Sequence, residues 1–329
     1  MPYLDIMGED EPVEYLFTLG DKRGLIARAN LHTLKGAPKT GKSAAGLALI
    51  TAAIKGEYLG IKAMPDIKVL WIDTEQDKNT LRQKARAVLD MAGVDAVPEN
   101  LKVSNLRGFG SPAECLGIAI KAINDNAPDL VFLDGIVDLC EDFNDNTESL
   151  KVVKQLEAAT EQTGAAILCL IHTNKKDDEA RGHLGAFLVH KSGEIYQVNK
   201  GMYNIDDVSL SVANVIIKES RFAVSPAPGF SFAFADNFKI TDTSEALKKA
   251  EQKKKDEANE KLRSIFADIF KNADKLCKGE LIKAYYKKCH RGIRTAEKAI
   301  AAAVEANILY QYPEKEGNKQ FYSYPSPGF

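Results

Sequence analysis

Gly36-Ala37-Pro38-Lys39-Thr40-Gly41-Lys42-Ser43 satisfies the pattern G-x-x-x-x-G-K-[ST] at every required position. Before it, residues 31–35 place apolar side chains at alternate positions, as a short strand would. After it, residues 44–54 are apolar enough for a buried helix. Strand, glycine loop and helix together make an anion site. Glycines let the backbone bend around a phosphate, and the loop N–H groups and helix N-terminus aim partial positive charge at it. The eight residues and Ala44 are therefore candidate nucleotide-binding residues. In this arrangement Lys42 bridges the β- and γ-phosphates of a nucleoside triphosphate and Ser43 holds Mg²⁺.

Working outward, residues 67–72 read as a second buried strand that ends on Asp73-Thr74-Glu75-Gln76. Residues 80–92 carry Leu81, Ala85, Val88 and Leu89 at helical spacing and stop at Gly93. Residues 101–103 predict a third short strand and residues 112–124 another helix. Leu130-Val131-Phe132-Leu133-Asp134 is four apolar residues followed by an aspartate, the Walker B pattern. It puts a carboxylate at the carboxyl end of a parallel strand, where open α/β sheets hold their ligands. Asp134 would hold Mg²⁺ through water, opposite Ser43. A buried strand ending in Asp at a turn has the same look; the position downstream of the glycine loop favours the metal role.

Residues 148–163 predict a helix ending at Gly164, and residues 166–171 an all-apolar strand closing on His172-Thr173-Asn174. Strands alternating with helices imply parallel βαβ units. Past a polar loop at 175–182 the pattern changes. Residues 194–198, 208–218 and 230–234 read as strands with no helix between them, an antiparallel extension of the sheet. The fold class for residues 1–240 is thus α/β, a mainly parallel sheet with an antiparallel extension.

Residues 243–270 predict a helix whose stretch 248–260 is almost without apolar residues, an exposed connector over 241–260. Leu262, Ile265, Phe266, Ile269 and Phe270 then return to helical spacing and open a second core. Helices at 280–288 and 295–306, the latter capped by Asn307, precede a hairpin of 308–312 and 320–324. Three helices and a hairpin make a winged-helix layout over 261–329. Arg291, Arg294 and Lys298 begin its recognition helix, and Lys315 and Lys319 flank the wing, where they would grip duplex DNA. Ala299, Ala301, Ala302 and Ala303 give that helix little reach to base edges, and a docked protein fits the layout too.

Composition sets bounds. The 329 residues are 45% hydrophobic and 27% charged, as in an ordinary globular protein. No apolar run approaches the ~18 residues of a membrane span, and the acidic N-terminus lacks a signal pattern. Five scattered cysteines without a C-x-x-C pair suggest neither zinc nor a disulfide framework. The expectation is a cytoplasmic protein with reduced thiols. The net charge of −2 hides an asymmetry: residues 245–329 carry 18 Lys and Arg against 12 Asp and Glu, a net of +6, which leaves −8 for the rest. A basic end on an acidic body hints at an anionic partner.

Five segments fall in a telling order: Gly36 to Ser43, Trp71-Ile72-Asp73-Thr74-Glu75-Gln76, Phe132-Leu133-Asp134-Gly135, Ile171-His172-Thr173-Asn174-Lys175 and Arg181-Gly182-His183-Leu184-Gly185. Over roughly residues 20–240 the chain resembles the RepA-like branch of RecA-fold P-loop ATPases, relatives of the hexameric replicative helicases of plasmids and mobile elements. The resemblance implies ATP and Mg²⁺ as cofactors, DNA as partner and a homo-oligomeric ring. It implies that Glu75 activates the attacking water, although Asp73 and Glu75 would also serve to cap the next helix. His172 would sense the γ-phosphate, or be an ordinary hydrogen-bonded core histidine. Lys175, Lys176 and Arg181 would contact DNA phosphates, with Asp177-Asp178-Glu179 set against them in the same loop. Lys218 and Arg221 would reach a neighbouring subunit's nucleotide as finger residues, although two residues separate them where related helicases often have one. A solvated pair at a strand end is the plainer reading of that pair.

The leading expectation is an ATP-driven motor or loader on DNA. An ATP-switched DNA-binding regulator, or an ATPase whose winged helix docks a protein, fits the same residues.

Overall fold

Leu70 and Ile72 pack on one face of a central sheet, and Val69 and Trp71 on the other. Leu130 and Phe132 alternate with Val131 and Leu133 in the same way. Successive strand side chains point to opposite faces, so a strand covered on both sides is a continuous apolar run. The computed structural model, which describes residues 12–20, 23–174, 177–205, 208–223, 225–314 and 317–324, shows what covers each face.

The chain starts with β1 (Tyr15–Leu19), β2 (Arg23–Ala27), β3 (Leu31–Gly36) and α1 (Lys42–Lys55). There follow β4 (Glu57–Tyr58), β5 (Ile61–Ala63), β6 (Val69–Asp73), α2 (Lys78–Ala92), β7 (Leu101–Asn105) and α3 (Pro112–Asn126). Next come β8 (Leu130–Asp134), α4 (Asn146–Thr163), β9 (Ala166–His172) and α5 (Gly182–Lys191). The sheet is completed by β10 (Glu194–Ile205), β11 (Val208–Ser220), β12 (Ala227–Phe234) and β13 (Ile240–Asp242).

Nine strands form one mixed sheet in the order β13-β12-β11-β10-β3-β9-β8-β6-β7. From β10 to β7 neighbouring strands are parallel, and β11, β12 and β13 extend the sheet antiparallel. One face is covered by α1 and α2, the other by α3, α4 and α5. Trp71 and Phe132 meet edge to face at 5.9 Å beneath the first layer, both fully buried. Burying each such ring stabilises the fold by about 1.5–3 kcal/mol. Helix α1 is buried continuously from Ala45 to Ala53, as an apolar helix inside a domain must be.

Two features depart from the sequence reading. No strand is predicted before residue 31, yet β2-β1-β5-β4 form a separate antiparallel sheet whose Phe17 and Leu25 enter the α1 layer. And Gly182–Lys191 is a helix, in a stretch where the sequence reading gives no element between the loop at 175–182 and the strand at 194–198. Gly185 hides its signal, because its bare backbone packs on Ala180, where a Cβ would lie 2.6 Å from the Ala180 carbonyl carbon.

The chain divides into two compact units, one ending at Glu245 and one starting at Ala246. In the second, α6 (Ser244–Ile269), β14 (Leu276–Cys277), α7 (Lys278–Cys289), α8 (Ile293–Glu305), β15 (Tyr310–Gln311) and β16 (Phe321–Ser323) surround Phe266, Leu281, Tyr285, Ile300, Leu309 and Tyr322. The strands pair antiparallel in the order β14-β16-β15, so the small sheet has one strand more than the expected hairpin. Residues 252–258 of α6 are exposed, and Asn307 has φ 53° after α8.

Candidate phosphate-binding site

Four parallel strands end side by side. In the sheet register Gly36 of β3 lies beside His172 of β9, Leu170 of β9 beside Asp134 of β8, and Asp134 beside Asp73 of β6. Their carboxyl ends open on a cavity of about 650 Å³ that also contacts Lys42, Ser43 and Glu75.

The loop from Gly36 to Ser43 frames one end of this cavity. Gly41 has φ 109°, and a Cβ there would stand 2.8 Å from Phe234 Cζ and 3.1 Å from Ala213 Cβ, so no side chain fits. Helix α1 starts without a side-chain cap. Helices α2, α3 and α4, in contrast, are capped by Asp77, Ser111 and Asp145. The first N–H groups of a helix have no partner within it, so the start of α1 is left to an anion. Thr40 Oγ1 donates to the Ala37 carbonyl at 2.8 Å, which closes the loop on itself. Lys42 Nζ donates to the carbonyls of Gly36 (2.9 Å) and Ala37 (3.0 Å) and sits 2.8 Å from His172 Nδ1. Burial pushes this ammonium down to about 8, against the attraction of Asp134 and Glu75.

The opposite wall is acidic. Asp73 Oδ1 accepts from the N–H groups of Glu75 (3.0 Å) and Gln76 (2.7 Å), which fixes the turn that presents Glu75. Burial, joined by the neighbouring Asp134 carboxylate, raises Asp73 to about 6 despite those bonds. The buried Oδ2 atoms of Asp73 and Asp134 have no hydrogen-bond partner. Glu75 is held above the usual carboxylate range by burial first, then by Asp134, Asp138 and Asp73. It does not cap α2: Asp77 does, accepting from Asn79 N and Thr80 N. Gly135, at φ 101°, lets this wall close, since a Cβ would fall 2.1 Å from Thr74 Oγ1, which in turn donates to the Gly135 carbonyl at 2.7 Å and Asp138 at 2.9 Å.

One charged side chain that lines the cavity escaped the sequence reading. Lys84 of α2 is 7% exposed, lines the cavity and approaches Asp134 Oδ2 at 3.9 Å. The signal was there: a lysine three residues after Leu81 lies on the buried stripe of the helix, where a charge needs a partner.

His172 marks the tip of β9. Burial, then the Lys42 ammonium, lowers its pKa. Its carbonyl accepts from Arg181 N at 2.9 Å, Asn174 N donates to Glu179 O at 2.9 Å and Thr173 bridges Ala180, so residues 179–181 lie back against the strand end. Within this loop Glu179 pairs at 3.7 Å with Lys35, a lysine of β3 only 2% exposed. The Glu179 side chain itself stays mostly exposed. Arg181 lies over the Phe143 ring at 4.7 Å, at the start of α5. Lys175 and Lys176 lie outside the described residues.

Lys218 and Arg221 are not brought to this cavity. In the antiparallel register Ser220 faces Glu194, which faces His32, at the amino end of β3. That is four residues from Gly36, about 13 Å along the strands at ~3.3 Å per residue. Both side chains are exposed; the Arg221 guanidinium donates to the His190 carbonyl. In the second unit Arg291, Arg294 and Lys298 are exposed at the start of α8, as is Lys319; Lys315 lies outside the described residues.

A phosphate loop at a strand-to-helix junction, with carboxylates on neighbouring strand ends, defines the class of P-loop nucleotide-binding proteins. Residues 4–178 match the model of the AAA domain family, and the chain belongs to that family of P-loop ATPases. No curated protein matches the chain. The residues also suit Mg²⁺. Among the described residues no group of three His, Cys, Asp or Glu side chains is built to hold a metal alone. Asp134 Oδ2, which has no hydrogen bond and only the 3.9 Å approach of Lys84, lines the same cavity as Ser43, and this matches the habit of Mg²⁺, which binds one or two carboxylates together with substrate phosphates. Among the described residues no helix is long and apolar enough to cross a membrane.

Proposed function

We propose that this chain hydrolyses ATP as a motor or loader on DNA, in an oligomeric ring of the RepA-like kind. The observation that carries the hydrolytic part is the convergence of Lys42, Ser43, Glu75, Asp134 and His172 on one cavity from the ends of adjacent parallel strands. Lys42 and the first N–H groups of α1 bind the β- and γ-phosphates. Ser43 and Asp134 would hold Mg²⁺, which when bound would neutralise phosphate charge. Glu75 takes the proton of a water whose oxygen bonds to the γ-phosphorus, as the bond from that phosphorus to the ADP oxygen breaks. Burial and the neighbouring carboxylates raise its pKa, which makes it a stronger base than a free carboxylate. His172, in contact with Lys42, senses the γ-phosphate and passes its presence to residues 173–181.

The DNA part rests on the order of the five sequence segments, on the placement of Arg181 beside that loop, and on the basic second unit. In this reading residues 1–240 are the RecA-like ATPase domain, residues 241–260 a connector and residues 261–329 a winged helix. Lys218 and Arg221 lie on the far end of their own strands, so they act only on a neighbouring subunit's nucleotide. ATP turnover measured with and without single- and double-stranded DNA, beside a sizing column run with nucleotide, tests the proposal. Stimulation by DNA together with nucleotide-dependent assembly supports it, and a DNA-indifferent monomer contradicts it.

A second reading has its own support. Tyr286, Ile293 and Tyr310 of the second unit are more than half exposed, an apolar presence among the basic residues that suits a protein partner. In that case the winged helix docks a protein and DNA contacts belong to the ATPase domain alone.

A further inference from the structure

The cavity is longer than its phosphate end. Past Pro38 and Lys39 its wall is made by Phe234, Ala235, Phe238 and Lys239. These residues come from the end of β12 and from the turn 235–239 that leads to β13, three strands away from β3 in the sheet. The sheet extension therefore does more than enlarge the domain: it carries two aromatic rings to the mouth of the phosphate loop.

Both rings are built in. Phe234 packs over the backbone of Gly41 at a distance that forbids a side chain there. The edge of Phe232 meets it, with ring centroids 5.6 Å apart at 74°, and Lys200 Nζ lies over one of its faces, 4.9 Å from its centroid. Even so, Phe234 remains 38% exposed. Phe238 is 41% exposed and has φ 62°, next to Asn237 at φ 57°. A bulky residue in the left-handed region is an outlier, kept only where the surroundings hold it, and such strain collects at ligand sites. The turn is held by Ala235 N donating to Lys239 O (2.9 Å), Lys239 N donating to Asp236 O (3.2 Å) and a Lys239–Asp90 ion pair at 3.0 Å. Packing does not call for this ring, since it is left part-exposed where glycine or asparagine would relax the turn.

We infer that Phe234 and Phe238 form the subsite for the base of a nucleoside triphosphate whose phosphates lie on Gly36 to Ser43. The inference rests on the reading of that loop as a phosphate site. Recognition is by stacking on the ring faces. Of the four residues walling this end only Lys239 is charged, and it pairs with Asp90 at 3.0 Å. The subsite therefore takes purines over pyrimidines by ring area and separates adenine from guanine weakly.

Calorimetric titration of the full chain with ATP, GTP, CTP and inorganic tripolyphosphate, each with Mg²⁺, tests this. The key variant is Phe238→Gly, which deletes the ring and relaxes the turn, so it folds with a Tm equal to or above that of the wild type. Phe234→Ala and Phe238→Trp complete the set. The expected result is that ATP and GTP bind with similar Kd and more tightly than CTP. Phe238→Gly and Phe234→Ala weaken ATP by about ten-fold, the range of losing one base–aromatic stack. Phe238→Trp keeps ATP affinity, and tripolyphosphate binds all four proteins equally. An unchanged ATP affinity in Phe238→Gly, or an equal loss for ATP and tripolyphosphate, overturns the subsite. Failure of the wild type to bind either compound overturns the phosphate-loop reading and the subsite with it.

Discussion

Lys42 Nζ lies 2.8 Å from His172 Nδ1 and donates to the carbonyls of Gly36 and Ala37, so one ammonium ties the glycine loop to the tip of β9. A phosphate that engages Lys42 must compete with those acceptors, His172 among them. Burial keeps the lysine near 8, which makes the exchange depend on pH. Above that value part of the population has lost the proton, and a bound triphosphate restores it. ATP binding at pH 8.5 is expected to take up between about half and one proton, and almost none at pH 7. Titration calorimetry in buffers of different ionisation enthalpy measures the uptake. None at pH 8.5 would show that Lys42 is not the phosphate ligand.

Asp73 gives the opposite sign. Its pKa is raised to about 6 from an ordinary 3.8. The folded state thus binds the extra proton between those values. The stability it contributes is complete below about 4 and lost as pH rises through 6. Asp73→Asn keeps an acceptor for the Glu75 and Gln76 N–H groups and removes the charge. The variant should gain on the wild type by on the order of 1–3 kcal/mol between pH 4 and pH 7. Urea denaturation at the two pH values checks it; a constant difference rejects the burial argument.

Gly135 tests the acidic wall by shape. Gly135→Ala places a methyl 2.1 Å from Thr74 Oγ1 at a φ of 101°. A loss of about 2–4 kcal/mol is expected from the overpacking and the backbone strain together. Equal midpoints in urea for variant and wild type would mean that the turn after β8 is more pliant than its geometry implies.

What the sequence disclosed follows from the range of its signals. The octapeptide, the apolar strands ending on Asp73, Asp134 and His172, and the sheet extension all rest on local patterns, and the structure has those elements. The base-side rings did not show, because their approach to Gly41 depends on the pairing of β11 with β12, a contact between residues far apart in the chain. The separate N-terminal sheet was missed for the same reason: β1 pairs with β5 across more than forty residues. Helix α5 was hidden by Gly182 and Gly185, two poor helix formers required by close packing. The finger reading of Lys218 and Arg221 came from resemblance, and a single chain leaves both at the wrong end of the sheet for its own phosphates.

The second unit allows a charge test. If Arg291, Arg294 and Lys298 neutralise phosphates of duplex DNA, replacing all three by alanine should reduce the slope of log Kd against log salt by up to about 0.9 for each phosphate left unneutralised. Fluorescence anisotropy over a salt series measures it. An unaltered slope would assign this surface to a protein partner.

Phosphate release with saturating single-stranded DNA tests most directly whether Gly36 to Ser43 is the working loop of a DNA-dependent ATPase. Mg²⁺-dependent turnover that DNA accelerates and that falls to background in Lys42→Ala is the expected result. Turnover that ignores DNA, or that survives in Lys42→Ala, would contradict it.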